Sequence, residues 1–420
     1  MKISIVETRT VPTVKIDLNG KSIVFHSKYD PLHEAAVWSE SSLKGLKNQE
    51  EIVIVGLGAG YHIRAVAEAM PDKLITVIEF NDIFLTWFKD SPFYASIVIL
   101  QNVSIKQFSD LSPTERGCVF SSVSSTNLLI HKNGLDISPY EYENVKAVLE
   151  DIKIQKNSIS NQIGHMNMNF KKNIILNDDG IGKLKNKYAG KPMILVSAGP
   201  SLDKQLPLFK KIRDENFFII GAVGTAVKPL VKFGIIPDFF AIIDPNQATY
   251  NQLTDLTLPY TTLYYLSTAY HDTIMLHNGP RRVIWQDGYE EAEKIASVKN
   301  DPIIQTGGSV ATALLDLMVF LGGKSIALVG QDLAYTDGKS HANDTHAQKK
   351  INETRNAKKV INYDQTGEVY TAKNLIIYRK WFEVYAKEHQ KLQLYNCTEG
   401  GAYIRNWEHI SLQDYHLKYS

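Results

Sequence analysis

Six short apolar runs within residues 190–345, each ending in small or polar residues, constrain the fold of this chain more than any other feature. Strands are expected at Met193–Ser197, Phe217–Ala222, Phe239–Ile243, Thr262–Leu266, Val283–Trp285 and Ser325–Val329, with helical stretches between them. Strands that alternate with helices build a mostly parallel sheet, and such sheets take ligands in the crevice beyond their carboxyl ends. The first run shows the pattern most plainly. Pro192 to Val196 gives way to Ser197-Ala198-Gly199-Pro200-Ser201, and a helix-like pattern follows from Leu202. A strand handing over to a helix N-terminus in this way presents free backbone N–H groups and the positive end of the helix dipole. The loop lacks the Gly-Lys-Ser/Thr ending of an ATP-gripping phosphate loop.

At 420 residues the chain exceeds one ordinary core, so two or three domains are expected. A hydrophobic content of 44% with 22% charged residues is that of a globular protein, and the net charge of +1 gives no electrostatic case for nucleic acid or an anionic membrane. Only Cys118 and Cys397 are present, which excludes a disulfide framework. The first residues carry charges every few positions without an apolar core, and no run is long enough to span a bilayer. These features together predict a cytoplasmic protein without membrane insertion.

The expected organisation is α/β, with two Rossmann-like domains of mostly parallel sheet. Residues 1–48 read as a hairpin and helix: Thr13 to Leu18 and Ser22 to Ser27 alternate around Asn19-Gly20, and Asp30-Pro31 opens a helix. Residues 49–138 form a Rossmann-like domain, 139–189 a helical connector, and 190–345 the ligand-binding α/β domain. Residues 346–420 read as a helical C-terminal region completing that domain.

In the first Rossmann-like domain Gly56, Gly58 and Gly60 follow a buried strand, and Glu79 ends the next one. Glycines there allow backbone to approach a ligand, and the acidic residue stands where ribose hydroxyls are usually held. The spacing is GxGxG, closer to nucleoside folds of the methyltransferase type than to dinucleotide folds. A second small-molecule site and a purely structural glycine turn both fit.

The larger domain gathers more chemistry at its strand ends. Beside Ser197 to Leu202 stand Gly221, Gly224 and Thr225, then Asp244, then Gly307-Gly308-Ser309 opening an apolar helix, and finally Gln331, Asp332 and Tyr335. The hydroxyls and backbone donors suit a nucleotide of low charge, since no lysine or arginine lies in the glycine loops. Asp244 and Asp332 could serve as metal ligands, sugar-hydroxyl acceptors or a general base. Downstream, His341 is a candidate proton acceptor at neutral pH. Asp337, Asp344 and His346 lie in the same loop without the helical spacing of a metal pair.

The series SAGPSLD, PDFFAIIDPN, GGSVATALLDLMVFLGGKSIALVGQDLAYTDGKSHA and NCTEGGAYI resembles the motility-associated factor (Maf) family of bacterial flagellin glycosyltransferases, and HSKYDPLHEAAVW with IVIVGLGAGYHI extends the resemblance toward the N-terminus. The central domain of that family is similar to bacterial sialyltransferases and to 6-hydroxymethylpterin diphosphokinases. The resemblance implies transfer of a nonulosonic acid, of pseudaminic or legionaminic type, from a CMP donor to Ser/Thr of flagellin. It also implies that Ser197 to Leu202 contact CMP, that Gly307 to Ser309 help hold it, and that Asp244 and Asp332 lie beside sugar and acceptor. Tyr264, Tyr265 or Tyr335 would then steady the leaving phosphate without an obligatory metal. Asp332, His341 and Asp244 are the candidate bases. The competing readings are a hydroxymethylpterin-type diphosphokinase using ATP and Mg²⁺, a non-catalytic flagellin-binding chaperone, and a methyltransferase built on the GxGxG turn.

Overall fold

A computed structural model describes residues 1–43, 46, 50–112, 114–116, 127–345 and 357–420. The chain forms two compact units, Met1–Ser160 and Asn161–Ser420. Among the described residues no helix is long and apolar enough to cross a membrane.

The first unit opens with an antiparallel sheet of β1 (Lys2–Val6), β2 (Thr13–Leu18) and β3 (Lys21–Val24). Asn19 and Gly20 take φ of 51° and 76°, the left-handed pair that a two-residue hairpin demands. The helix expected after Asp30 runs Pro31–Leu43. Next come β4 (Glu51–Val55), β5 (Leu74–Glu79), β6 (Val103–Gln107) and β7 (Leu128–Ile130), all parallel, in the order β6-β5-β4-β7. Alternation along β4 divides the core. Ile52 and Ile54 pack with Phe84, Phe88 and the hairpin's Val14 and Ile16, whereas Val53 and Val55 pack with Phe80, Leu149 and Ile152. Because β5 and β6 lie on one side of β4 and β7 on the other, the chain reverses its direction of winding between β4 and β7.

The second unit is built on β8 (Met193–Val196), β9 (Ile219–Val223), β10 (Phe239–Ile242), β11 (Thr262–Leu266), β12 (Arg281–Gln286), β13 (Ile303–Ile304) and β14 (Ser325–Val329). After an antiparallel hairpin of β15 (Lys358–Ile361) and β16 (Glu368–Thr371), the chain adds β17 (Gln393–Asn396) and β18 (Glu408–His409). The nine-stranded sheet is parallel throughout, in the order β13-β12-β11-β10-β9-β8-β14-β17-β18. Its central strands are buried on both faces, which is why their sequences are uninterrupted apolar runs. The helix Val310–Phe320 buries Leu314, Leu315, Leu317 and Met318, consistent with its nearly continuous apolar sequence.

The mostly parallel α/β architecture is the one the sequence predicts. Two segments carry more than their expected content. The stretch 139–189 is dominated by one long α-helix, Glu143–Ile175, flanked by short 3-10 turns at Tyr140–Tyr142 and Gly182–Leu184. Residues 357–420 hold two helices, Lys373–Glu388 and Leu412–Tyr419, and also four strands. Those strands are two to four residues long, too short for their period to stand out from a helical background.

Candidate active site

In the larger sheet the chain winds outward from β8 to β13 and then returns to the far side of β8 as β14. The carboxyl ends of β8 and β14 therefore flank the topological switch point, where open parallel sheets bind their ligands. The loops leaving those two strands are residues 197–201 and 330–335, and backbone bonds lace them together. Ser197 N–H donates to Val329 at 2.8 Å, and Gly199 N–H donates to Gly330 at 2.7 Å. The glycines serve this contact. A Cβ on Gly199 would lie 2.1 Å from Asp332 Oδ2 and 2.5 Å from the Gly330 carbonyl, and one on Gly401 would lie 2.1 Å from the Asp332 carbonyl.

Asp332 sits at the centre of this junction, 2% exposed. Its Oδ2 accepts from Ser201 Oγ at 2.6 Å, its Oδ1 from Thr336 Oγ1 at 2.5 Å, and Ser201 N–H reaches both oxygens at 3.2 and 3.3 Å. Burial pushes the carboxyl up to about 6 despite the donors that favour its charged form. With both oxygens engaged and no access to solvent, Asp332 fastens the two loops and has no free lone pair at the cleft. The general-base role expected for it is corrected accordingly. Ser197 Oγ donates to Gln331 Oε1, and Ser201 Oγ is committed to Asp332. The Ser197–Ser201 loop thus offers a ligand mainly backbone and shape.

The accessible groups lie on the rim. His341 is half-buried, and its loop lies over the Ser197–Ser201 turn through Ala342 N–H to the Ala198 carbonyl at 2.9 Å. Asn343 N–H adds a 3.0 Å bond to Asp203 Oδ1. Asp337 and Asp344 are drawn to Lys204 and Lys232, and His346 lies outside the described residues. Asp244, just past β10, is an exposed residue. Desolvation there raises its carboxyl above the ordinary range, and Asn246 Nδ2 donates to Oδ1 at 3.1 Å. The charge of Asp244 in turn helps push the Tyr378 phenol up, behind the larger effect of burial.

Tyr378 and Trp381 belong to the helix Lys373–Glu388 and cover the Gly307–Ser309 loop. A Cβ on Gly307 would lie 2.4 Å from the Trp381 ring, and one on Gly308 would lie 3.3 Å from the Tyr378 ring. Ser309 caps its helix by accepting from Thr312 N–H at 3.3 Å, and Thr312 Oγ1 accepts from Gly307 N–H at 2.9 Å. The helix Glu143–Ile175 supplies a further set of residues that the sequence reading missed. Asn169 Nδ2 donates to the Pro245 carbonyl at 2.9 Å, and Asn173 Nδ2 to the carbonyls of Ser267 and Ala269 at 2.9 and 2.8 Å. His165 Nδ1 stands 3.2 Å from Asn246 Oδ1. The signals were a polar i, i+4, i+8 stripe on one helix and an aromatic i, i+3 pair on another, both legible as helical faces.

Two of the expected contacts, Tyr264 and Tyr265, lie away from the switch point, and the others are held by neighbours. Tyr264 and Tyr265 are buried within β11, which lies three strands from β8, or about 14 Å at the usual spacing. The Tyr265 hydroxyl donates to Asp178 at 2.9 Å. Gly221 is inside β9 against Phe239, Gly224 packs on Gln252, and Thr225 accepts from Gln252 Nε2 at 3.3 Å. Tyr335 is half-buried, its N–H bonded to the Tyr370 carbonyl at 2.8 Å.

In the first unit Glu79 is fully buried, its carboxylate accepting from the N–H groups of Leu57, Phe80 and Asn81 at 3.0 Å each. Burial raises it to about 7. It organises the glycine turn from inside, with no oxygen left for a ribose. Gly56 packs on Gly134 and Gly60 on Ile97, so neither faces an open cleft, whereas Gly58 faces three imidazoles.

Sheet order, switch-point loops and covering helix together define a parallel α/β protein whose candidate site lies at the β8/β14 switch point. The structure superposes on that of the Maf glycosyltransferase from Magnetospirillum magneticum AMB-1 with a TM-score of 0.53, covering 95% of this chain and 69% of that one at 16% identity. The likeness at that identity is one of fold. Residues 164–338 match the family model for 6-hydroxymethylpterin diphosphokinase MptE-like proteins. An uncharacterized protein of Treponema pallidum (strain Nichols) is 25% identical over 214 residues, which is 48% of this chain but only 36% of that relative's length.

Proposed function

We propose that this protein is a glycosyltransferase that moves a nonulosonic acid, of pseudaminic or legionaminic type, from a CMP donor to a Ser or Thr hydroxyl of flagellin. The observation that carries the reading is the lysine-free loop pair at the β8/β14 switch point, in a chain that shares the Maf glycosyltransferase fold over nearly its whole length. A CMP-sugar bears one phosphodiester charge, which suits backbone donors and a helix N-terminus better than it suits a triphosphate cradle. Cytidine and phosphate would rest against residues 197–202 and the Gly307–Ser309 loop, with Tyr378 and Trp381 as the apolar wall.

In the transfer, the acceptor oxygen bonds to the anomeric carbon as the bond from that carbon to the phosphate oxygen breaks. CMP departs as a phosphate monoester, and the acceptor proton passes to a base. Asp244 is the carboxylate best suited, because it is reachable from solvent and its raised affinity for a proton brings it closer to neutral pH. His341, on the opposite loop, is the alternative. No metal is required by this scheme.

The MptE-like match favours a second reading, pyrophosphoryl transfer from ATP with Mg²⁺. Magnesium is usually held by one or two accessible carboxylates, and with Asp332 engaged Asp244 would have to serve almost alone. Calorimetry on the full chain separates the two: CMP binding without ATP·Mg²⁺ binding supports transfer of a sugar, and the reverse overturns it. Asp244→Asn should retain CMP binding while the mass added to co-expressed flagellin falls about 100-fold or more. Unchanged modification would remove Asp244 as the base.

A further inference from the structure

The smaller sheet has a switch point of its own, between β4 and β7, and three histidines converge there from separate parts of the sequence. His26 follows the N-terminal hairpin, His62 lies in the first turn of the helix Tyr61–Ala69, and His131 follows β7. All three are buried, at 4%, 0% and 6% exposure, and their ligand nitrogens lie within 4.8 Å of one another. We propose that His26, His62 and His131 form a binding site for one divalent transition-metal ion of the zinc class, which ties the N-terminal hairpin to the β4/β7 edge of the first sheet.

Three observations carry this. The first is an orphaned lone pair: His62 Nε2 lies 3.0 Å from the Gly56 carbonyl, so it carries the proton, and Nδ1 is left buried without a partner. A ligating histidine is held in its tautomer in just this way, by donating its other N–H to a carbonyl or carboxylate. The second is His26, whose Nδ1 faces the Glu34 carboxylate at 3.9 Å and whose Nε2 points inward, where it accepts a long 3.4 Å bond from Ala59 N–H that an ion would displace. The third is convergence. A Cβ placed on Gly58 would lie 3.0 Å from His62 Cε1, 3.2 Å from His26 Nε2 and 3.3 Å from His131 Cε1, so all three rings close on one backbone point that only glycine leaves clear. Trp38 closes one side, its ring centroid 5.1 Å from that of His62.

Imidazole nitrogens on one tetrahedral ion stand about 3.4 Å apart, given bonds of about 2.0–2.1 Å, so the cage must tighten by up to about 1.4 Å. His131 must also move. It now stacks on His62 with centroids 4.1 Å apart and accepts from Gly134 N–H at 3.3 Å, and its ring must turn for its lone pair to meet the ion. Burial keeps all three imidazoles well below their ordinary pKa, so their lone pairs stay unprotonated at neutral pH. Three imidazoles suit Zn²⁺, Co²⁺, Ni²⁺ or Cu²⁺ rather than Mg²⁺ or Ca²⁺. Enclosure makes the site a structural tie.

The test uses the full chain, stripped with a chelator and titrated with Zn²⁺. The expected result is one equivalent bound per chain and a melting midpoint raised by about 5 °C or more, reversed by EDTA. Co²⁺ should give the visible d–d absorption of a tetrahedral nitrogen-ligated centre, and X-ray absorption at the zinc edge should count three imidazoles. His62→Gln and His131→Gln should abolish stoichiometric binding, and the exposed His33→Gln should not. The wild-type measurements stand even if a variant fails to fold. Absence of stoichiometric binding to the wild-type chain, a spectrum with fewer than two imidazoles, or binding that survives His62→Gln would each overturn the proposal.

Discussion

Replacing Asp332 with asparagine separates a fastening role from a catalytic one. Burial raises this carboxyl from an ordinary 3.8 to about 6, so the folded state holds the proton more tightly than the unfolded chain does. Stability from this group is therefore fully present below the unfolded value and is lost as pH rises through the folded one. At about 1.4 kcal/mol per unit, the total lost above pH 6 is about 3 kcal/mol. Some 1 kcal/mol of that is already gone at about pH 4.5, so about 2 kcal/mol is lost between there and about pH 7.5. The side chain introduced by Asp332→Asn has the same shape and no charge, and its amide can still meet the Ser201 and Thr336 hydroxyls. Denaturant unfolding of both proteins across this range should show the variant gaining on the wild type by about 2 kcal/mol toward neutral pH. Transfer activity should fall by less than about 10-fold, against the 100-fold or more expected for a lost base. Parallel stability curves, or a variant weaker by about 3 kcal/mol at neutral pH, would refute the account of a buried charge held against its desolvation.

Gly199→Ala would drive a Cβ into Asp332 Oδ2 and the Gly330 carbonyl, atoms fixed by the same junction. A loss of about 3 kcal/mol in denaturant unfolding is expected, and a change below about 0.5 kcal/mol would show that the loops are not locked together. Glu79→Gln would turn an amide group on either the Leu57 N–H or the pair from Phe80 and Asn81, leaving a buried donor unmet. This should cost about 1–3 kcal/mol, read as a lower unfolding midpoint. Trp381→Ala should weaken CMP binding, because the indole packs on the Gly307 backbone, and calorimetry that gives an unchanged Kd would remove Trp381 from the nucleotide wall.

Much of the fold was determined by the sequence alone, because its signals are local. Uninterrupted runs such as Met193–Val196 and Ser325–Val329 state that a strand is covered on both faces, and their alternation with helices requires parallel pairing. Asn19-Gly20 fixed its hairpin because few residues tolerate two successive positive φ angles. Strand ends also named the candidate residues, since parallel sheets take ligands beyond their carboxyl ends, but the strand order that puts β8 and β14 at the switch point came from the structure.

Which residues at that cleft are available was a matter for the tertiary structure. Asp332 and Asp244 look alike in sequence, each an acidic residue just past a strand. One is closed in by Ser201, Thr336 and two glycines, while the other remains exposed. Tyr264 and Tyr265 lie within the strand expected at Thr262–Leu266, and the sheet buries both. The same holds for His26, His62 and His131, which carry no joint signal in the sequence and meet only because β4 and β7 are neighbours. Local pattern fixes which element a residue occupies; only the packing of distant elements decides whether its lone pairs meet a backbone amide, solvent or one another.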